Sequence, residues 1–556
     1  MTTAQSRLQD LASALDIAEG TLQASLRFLK ERSSSNGRVS VSKLDQHQLA
    51  CFDSALNASE LAAAKFMVEY ARGVRQTSRG GDEPLLEERF ALLFGAETLN
   101  SVRGRLGARP RDFGLSYAQL AESLDSSAVR AILERELATE ELMACATELR
   151  KRSGSSGAYQ LDERHEMMRT TFRDFANKTV MPLAEEVHRH DLLIPDRILE
   201  PLTELGCFGL SIPEEYDGLH EDSMGMIVVT EELSRGSLGA AGSLITRPEI
   251  LARALLAGGT EEQKRYWLPK LAAGDPLCAV AVTEPDYGSD VAAMKFKATK
   301  TTGGWLLNGA KTWCTFGGKA GVLLVLARTD PDPAAGYKGL SVFLASKPTF
   351  EGHDFEVVQE NGGTLSGRAI STIGYRGMHS YECFFENYFV PDSALLGGEA
   401  GLGKGFYTIM AGFSGGRIQT AARAVGVMQA AFEAAFTYAG ERKVFATPII
   451  DYQLTSVKLA RMAAWLCASR QFTYSVARLM DRGGGQMEAS MVKLFASKTA
   501  EWLTREAMQI YGGMGYAEET AVSRYFLDAR VLSIFEGAEE VLALRVIARS
   551  LVSDAE

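Results

Sequence analysis

Glu536 has neighbours that could tune its chemistry. It stands in Arg530-Val-Leu-Ser-Ile-Phe535-Glu536-Gly537-Ala538, behind two large apolar residues and ahead of a glycine. Helical spacing runs through Phe535 and resumes from Glu539 to Leu551, which leaves Glu536 on a loop between helices. A carboxylate in an apolar corner favours its neutral form, and that suits a general base. The same position also reads as a solvated acid near a helix start, where negative charge is welcome. Upstream, Gln509-Ile-Tyr-Gly-Gly-Met-Gly515 reads as a helix end closed by glycines.

Four other stretches carry usable groups. Ala281-Val-Thr-Glu-Pro-Asp-Tyr-Gly-Ser-Asp290 ends a strand in a tight turn whose amides and Ser289 hydroxyl could hold a phosphate or a flavin edge. Trp313-Cys314-Thr315 follows Asn308-Gly309, a dipeptide that predicts a hairpin turn. Strand alternation then puts Trp313 and Thr315 on one face. Glu441-Arg-Lys-Val-Phe445 follows a helix end, and Gln453 opens the next helix; Arg442 there could simply offset a helix dipole. Arg247 sits in the fairly apolar run Leu244-Ile-Thr-Arg-Pro-Glu-Ile250. A desolvated guanidinium needs a carboxylate, either Glu249 or one on a substrate.

Composition removes several classes. A net charge of −11 argues against a general nucleic-acid or membrane-surface binder. The 7 cysteines are scattered without a Cys-x-x-Cys pair, so the sequence suggests neither a metal site nor a disulfide framework. They fit a reducing, cytoplasmic location. The first residues lack an apolar signal core, and no 18-residue apolar run occurs, so no membrane span is expected.

The elements that must position these groups divide the chain in four. Residues 1–152 read as helices, with Leu8, Leu11, Leu15, Leu22, Leu26 and Leu29 at helical spacings and polar breaks at 32–37 and 79–82. This part holds no ligand constellation and reads as a packing or oligomerisation segment. Residues 151–157, Lys-Arg-Ser-Gly-Ser-Ser-Gly, read as a flexible linker. Residues 158–276 are helical again. Residues 277–396 switch to period two, with strands at 322–327, 339–344 and 381–390. Residues 397–556 return to long, alanine-rich helices.

The 281–290, 307–315, 441–445 and 509–537 blocks, in this order, resemble the acyl-CoA dehydrogenase flavoenzymes over about residues 160–556. The resemblance implies an α+β multidomain fold. It comprises a helical domain, a β-barrel-like middle domain and a C-terminal four-helix bundle, here with a helical N-terminal extension. It implies FAD as cofactor and Glu536 as the base that takes the α-proton of an acyl-CoA thioester while the β-hydride goes to flavin. The segment Phe413-Ser-Gly-Gly-Arg417, from which some members take their base, has no acid here. Val282, Thr283, Trp313 and Thr315 would meet the flavin ring, and Ser289 cofactor or substrate phosphates. Arg442, Phe445, Gln453, Gln509, Gly512 and Gly513 would hold FAD across a subunit interface, in a homodimer or dimer of dimers. Phe413 and Arg417 would hold the CoA portion. The length, the extension and a shortened segment near Arg247 resemble members acting on a short branched acyl-CoA with a free carboxylate, which Arg247 would bind. An electron-transferring flavoprotein would be the electron acceptor. An acyl-CoA oxidase and a flavin-bearing nucleic-acid-associated protein are the alternative readings; the acidic charge speaks against the second.

Overall fold

The leucines at 8, 11, 15, 22, 26 and 29 form the buried stripe of a 30-residue helix, Ala4–Ser33. In the computed structural model, which describes residues 4–78, 84–413 and 415–555, this helix belongs to a unit formed by residues 1–166 and 420–556. The expected polar break at 79–82 and residue Ser414 lie outside the described residues. The helices Gln48–Thr77 and Leu86–Ala108 pack on Ala4–Ser33 and on the long helices Gln453–Asp481 and Gln486–Tyr511. Phe94, fully buried, meets Trp465 edge-on at 5.0 Å and Phe495 at 5.7 Å. The break at 32–37 is a small hairpin, Ser34–Ser35 with Arg38–Val39, turned by Asn36 and Gly37 at positive φ.

The stretch expected as a flexible linker is a packed strap. The Ser156 hydroxyl donates to Gln429 Oε1 at 2.8 Å and accepts from Arg470 Nη1 at 3.0 Å. Tyr70 Oη donates to the Ala158 carbonyl at 2.7 Å. A Cβ on Gly154 would lie 2.7 Å from the Phe436 ring. Glycine and serine are needed here for close approach, and their composition alone imitates a loose tether.

The other unit, residues 167–419, joins helices to an eight-stranded curled sheet. Its strand order is Cys278–Ala281, Val322–Arg328, Lys297–Thr301, Gly304–Thr315, Ser380–Pro391, Thr364–Ala369 and Asp354–Val358, with Leu340–Ser346 also paired to Val322–Arg328. Val322–Arg328 is buried along nearly its whole length, as an all-apolar run between two packed faces requires. The helix Ser223–Gly236 from Met224 onward, the turn Leu238–Gly242 and the start of Thr246–Gly258 are buried.

The hairpin expected at Asn308–Gly309 is absent. Gly304–Thr315 runs straight through it, and the turn lies earlier, between Lys297–Thr301 and Gly304. Gly309 has φ +132°, and a Cβ there would lie 2.9 Å from the Phe296 ring. Opposite, Ser380–Pro391 bulges between Phe385 and Tyr388, where Asn308 Oδ1 accepts from the Asn387 amide at 2.9 Å. The Asn-Gly pair serves a bulge in the neighbouring strand.

Phe94→Ala should destabilise the protein by about 3–5 kcal/mol, because the cavity opens beside Trp465 and Phe495. Urea unfolding followed by tryptophan fluorescence will read this as an earlier midpoint.

Candidate active site

The turn after Cys278–Ala281 is anchored by a residue that the sequence reading passed over. Glu284, 6 % exposed, accepts from the amides of Lys295 (2.8 Å) and Phe296 (2.9 Å). Its third partner is Lys311 Nζ at 3.2 Å, and Lys311 is fully buried. Lys311 also donates to the Val282 carbonyl at 2.9 Å. Burial pushes the Lys311 amine down to about 8, with Glu284 pulling against it. The Thr312 amide donates to the Thr283 carbonyl at 2.9 Å, so Val282 and Thr283 are tied to the strand carrying Trp313 and Thr315. Ser289 lies exposed farther along the turn.

Trp313 departs from the expected alternation. Lys311 pairs with Cys383 and Cys314 with Tyr381, so one strand spends an extra residue there. Trp313 takes φ +58° at this bulge and is 53 % exposed, whereas Thr315 is buried. The Thr315 hydroxyl is paired with Ser380 Oγ at 2.9 Å. The bulge interrupts the period-two rule that would place Trp313 and Thr315 on a common face. The result is an indole held out from the sheet beside ordered hydroxyl and amide groups.

In the same unit, Arg247 is buried and lines an apolar cavity of about 10 Å³ with Phe208, Leu244, Cys278 and Phe316. That volume holds one water. Glu249 does not serve Arg247: its Oε1 accepts from Arg253 Nε at 2.9 Å. Arg235, near the end of the helix Ser223–Gly236, bonds to Glu232 and Asn177. Phe413 and Arg417 are half-buried on either side of Gly415, at the start of Gly416–Glu441. Gly415 lies against the Glu249 carboxylate.

The other unit carries Glu536. The helix Ala521–Val531 ends in turns, and Glu536 follows at φ +54°, half-buried. Its loop is fastened from Gln486–Tyr511: Lys493 Nζ donates to the Gly537 carbonyl at 2.7 Å and Ser497 Oγ to the Leu532 carbonyl at 3.1 Å. The buried Arg423 guanidinium lies 5.0 Å from the centre of the Phe535 ring. Arg442, Gln453, Gln509, Gly512 and Gly513 are exposed on this unit. So is Phe445, at 92 %, on a two-residue turn with Ala446 in which both have positive φ.

Each unit, taken by itself, carries groups that suit part of a flavin nucleotide. An outstanding indole with neighbouring amides and hydroxyls suits a flat heteroaromatic ring, and an exposed arginine with glutamines suits a pyrophosphate. Sequence reasoning named candidates for touching a ligand and missed groups that hold their segments in place: Glu284, Lys311, Ser380 and Lys493. An ionisable Lys311 on a strand of mostly apolar residues was the one available signal.

Comparison with known proteins agrees. The acyl-CoA dehydrogenase N-terminal, middle and C-terminal domain models match residues 162–275, 279–388 and 403–552. The (2S)-methylsuccinyl-CoA dehydrogenase of Cereibacter sphaeroides is 39 % identical over 99 % of this chain and 100 % of its own length. Among solved structures, the butyryl-CoA dehydrogenase of Megasphaera elsdenii matches with a TM-score of 0.64 and 30 % identity, over 71 % of this chain and 100 % of that one. A chain from a structure described as the electron transferring flavoprotein of Acidaminococcus fermentans matches with a TM-score of 0.65 and 32 % identity, over 72 % of this chain and 100 % of that one.

Lys311→Met should cost about 3–5 kcal/mol at pH 7, because Glu284 keeps its buried charge without a cation. Lys311 itself titrates at about 8 when folded against an ordinary 10.5, so between those values the unfolded chain binds the extra proton. Its contribution to stability therefore rises with pH across that window. The stability gap between wild type and Lys311→Met, from denaturant melts at pH 7.5 to 10, should widen as pH increases.

Proposed function

The chain belongs to the acyl-CoA dehydrogenase family of FAD-dependent oxidoreductases, and on that premise we propose that it converts (2S)-methylsuccinyl-CoA to mesaconyl-CoA. The observation that carries this reading is the reach of one similarity. The family models leave residues 1–161 unmatched, whereas the Cereibacter sphaeroides enzyme is matched across nearly the whole chain, extension included.

In this reading Glu536 takes the α-proton of the thioester. A thioester α-C–H is too weakly acidic to be lost in water, so the carbonyl oxygen must be met by fixed donors as charge develops. The main-chain amide of Glu536 is assigned as one of them. Its loop is held by Lys493 and Ser497, which supports a fixed position for both amide and carboxylate. FAD, when bound, supplies the acceptor for the β-hydride. Val282, Thr283, Trp313 and Thr315 are assigned to its ring. Arg442, Phe445, Gln453, Gln509, Gly512 and Gly513 are assigned to the rest of the nucleotide, in a homodimer or dimer of dimers. Ser289 is assigned to cofactor or substrate phosphates, and Phe413 and Arg417 to the CoA portion. Arg247 is assigned to the free carboxylate of the substrate. Its burial beside a cavity lined mostly by apolar side chains supports that role; a carboxylate there requires the small cavity to widen. An electron-transferring flavoprotein is assigned as the acceptor.

Glu536→Gln should bind acyl-CoA yet lose turnover by about 10²–10⁴-fold, the range expected for a general base. Anaerobic titration will read this as a flavin that stays yellow with substrate bound; normal bleaching removes Glu536 as the base. Purified enzyme should reduce its flavin with methylsuccinyl-CoA and hardly with butyryl-CoA. Arg247→Ala should lower kcat/KM for methylsuccinyl-CoA by about 10–100-fold, the value of a charge-assisted hydrogen bond. Equal rates on both thioesters in the wild type would refute the carboxylate assignment.

A further inference from the structure

Asp191, His353 and His379 lie far apart in sequence and converge within the sheet-bearing unit. One carboxylate oxygen and one ring nitrogen from each histidine all lie within 4.8 Å of one another. His379 Nε2 is 3.0 Å from Asp191 Oδ1, and His353 Nε2 is 2.9 Å from the Asp191 carbonyl oxygen. The two imidazole centres are 4.6 Å apart. His379 is buried, Asp191 half-buried and His353 open to solvent, so the group has a floor and an entrance. His379 Nδ1 lies 3.3 Å from the Gly377 carbonyl. A main-chain acceptor behind one ring nitrogen orients the other toward a ligand, as around protein-bound metals.

We propose that Asp191, His353 and His379 form a binding site for a divalent transition-metal ion, with zinc(II) as its representative. Two imidazoles and a carboxylate suit zinc, cobalt or nickel, whereas magnesium and calcium prefer all-oxygen sets. Ligand atoms less than 5 Å apart need only small side-chain rotations to close around an ion at metal–ligand distances of about 2 Å. Solvent on the His353 side supplies a fourth ligand. The ion takes the place of the contact between His379 Nε2 and Asp191 Oδ1, and it competes with Arg376, whose Nε lies 3.3 Å from the same oxygen. That competition lowers affinity and makes the site a sensor of free metal more than a permanent store.

Occupancy would reach the strand that carries Trp313. The carbonyls of Met378 and His379 both accept from the Phe316 amide, at 3.0 and 2.7 Å, and the adjacent Ser380 holds Thr315. The Ile194 amide donates to the Gly377 carbonyl at 3.1 Å. An ion across Asp191, His353 and His379 therefore clamps the segment after Met181–Arg189 to the approach of Ser380–Pro391.

The test uses full-length, FAD-loaded enzyme stripped with a chelator. Zinc(II) titration by calorimetry should show one site per chain, and magnesium(II) should show none. His353→Ala, at an exposed position that leaves packing intact, should weaken zinc(II) binding at least tenfold, whereas His220→Ala should leave it unchanged. Zinc(II) should also raise the melting temperature of the wild type and not that of His353→Ala. Equal zinc(II) affinity in wild type and His353→Ala, or an equal loss in His220→Ala, overturns the proposal.

Discussion

The buried contact between Lys311 and Glu284 is the constraint on which the sheet side of the site depends. An isolated charge at either position would be costly to desolvate, so the two must stay together. Keeping them together fixes the geometry of everything attached. Glu284 gathers two amides from the segment just before Lys297–Thr301, and Lys311 captures the Val282 carbonyl. The turn from Val282 to Ser289 is thereby joined to the strand that ends in Trp313 and Thr315. A buried ion pair often adds little net stability over a well-packed apolar core. Its value here is positional, since an apolar substitute would supply no donors to the turn.

The same logic recurs in the other unit with different parts. Glu536 stands on a loop of irregular backbone, and irregular backbone does not hold a side chain by itself. Lys493 and Ser497 reach across from a long helix to bind its carbonyls, while Arg423 supports Phe535 from below. In each unit one group assigned to chemistry, Trp313 or Glu536, sits on a bulge or loop, and side chains on a neighbouring strand or helix hold that segment in place. Binding residues on loops positioned by a rigid scaffold are the general pattern.

Much of this was legible in the residues. Long periodic segments became helices with the anticipated buried stripes, as in Ala4–Ser33, and the all-apolar run at 322–327 became a central strand. The failures share a cause. Asn308-Gly309 looked like a turn because local propensity carries no knowledge of the bulge in the partner strand. Trp313 was expected to obey alternation, and a second bulge removed it from the pattern. The Gly- and Ser-rich strap looked loose because composition does not record that Phe436 and Tyr70 press against it. Each error came from a tertiary neighbour distant in sequence. Glu284 and Lys311 were overlooked for the same reason, since neither stands out until the other is placed beside it.

One unit is built from both ends of the chain: residues 1–166 cannot complete their packing until residues 420–556 have been made. On a ribosome adding about 5–20 residues per second, the intervening stretch takes on the order of tens of seconds to emerge. During that interval Phe94 and its neighbours face the cell without Trp465 and Phe495 to cover them. The newborn extension is therefore a natural client for chaperones, and a chain whose translation stalls in the middle presents a sticky helical surface to its surroundings.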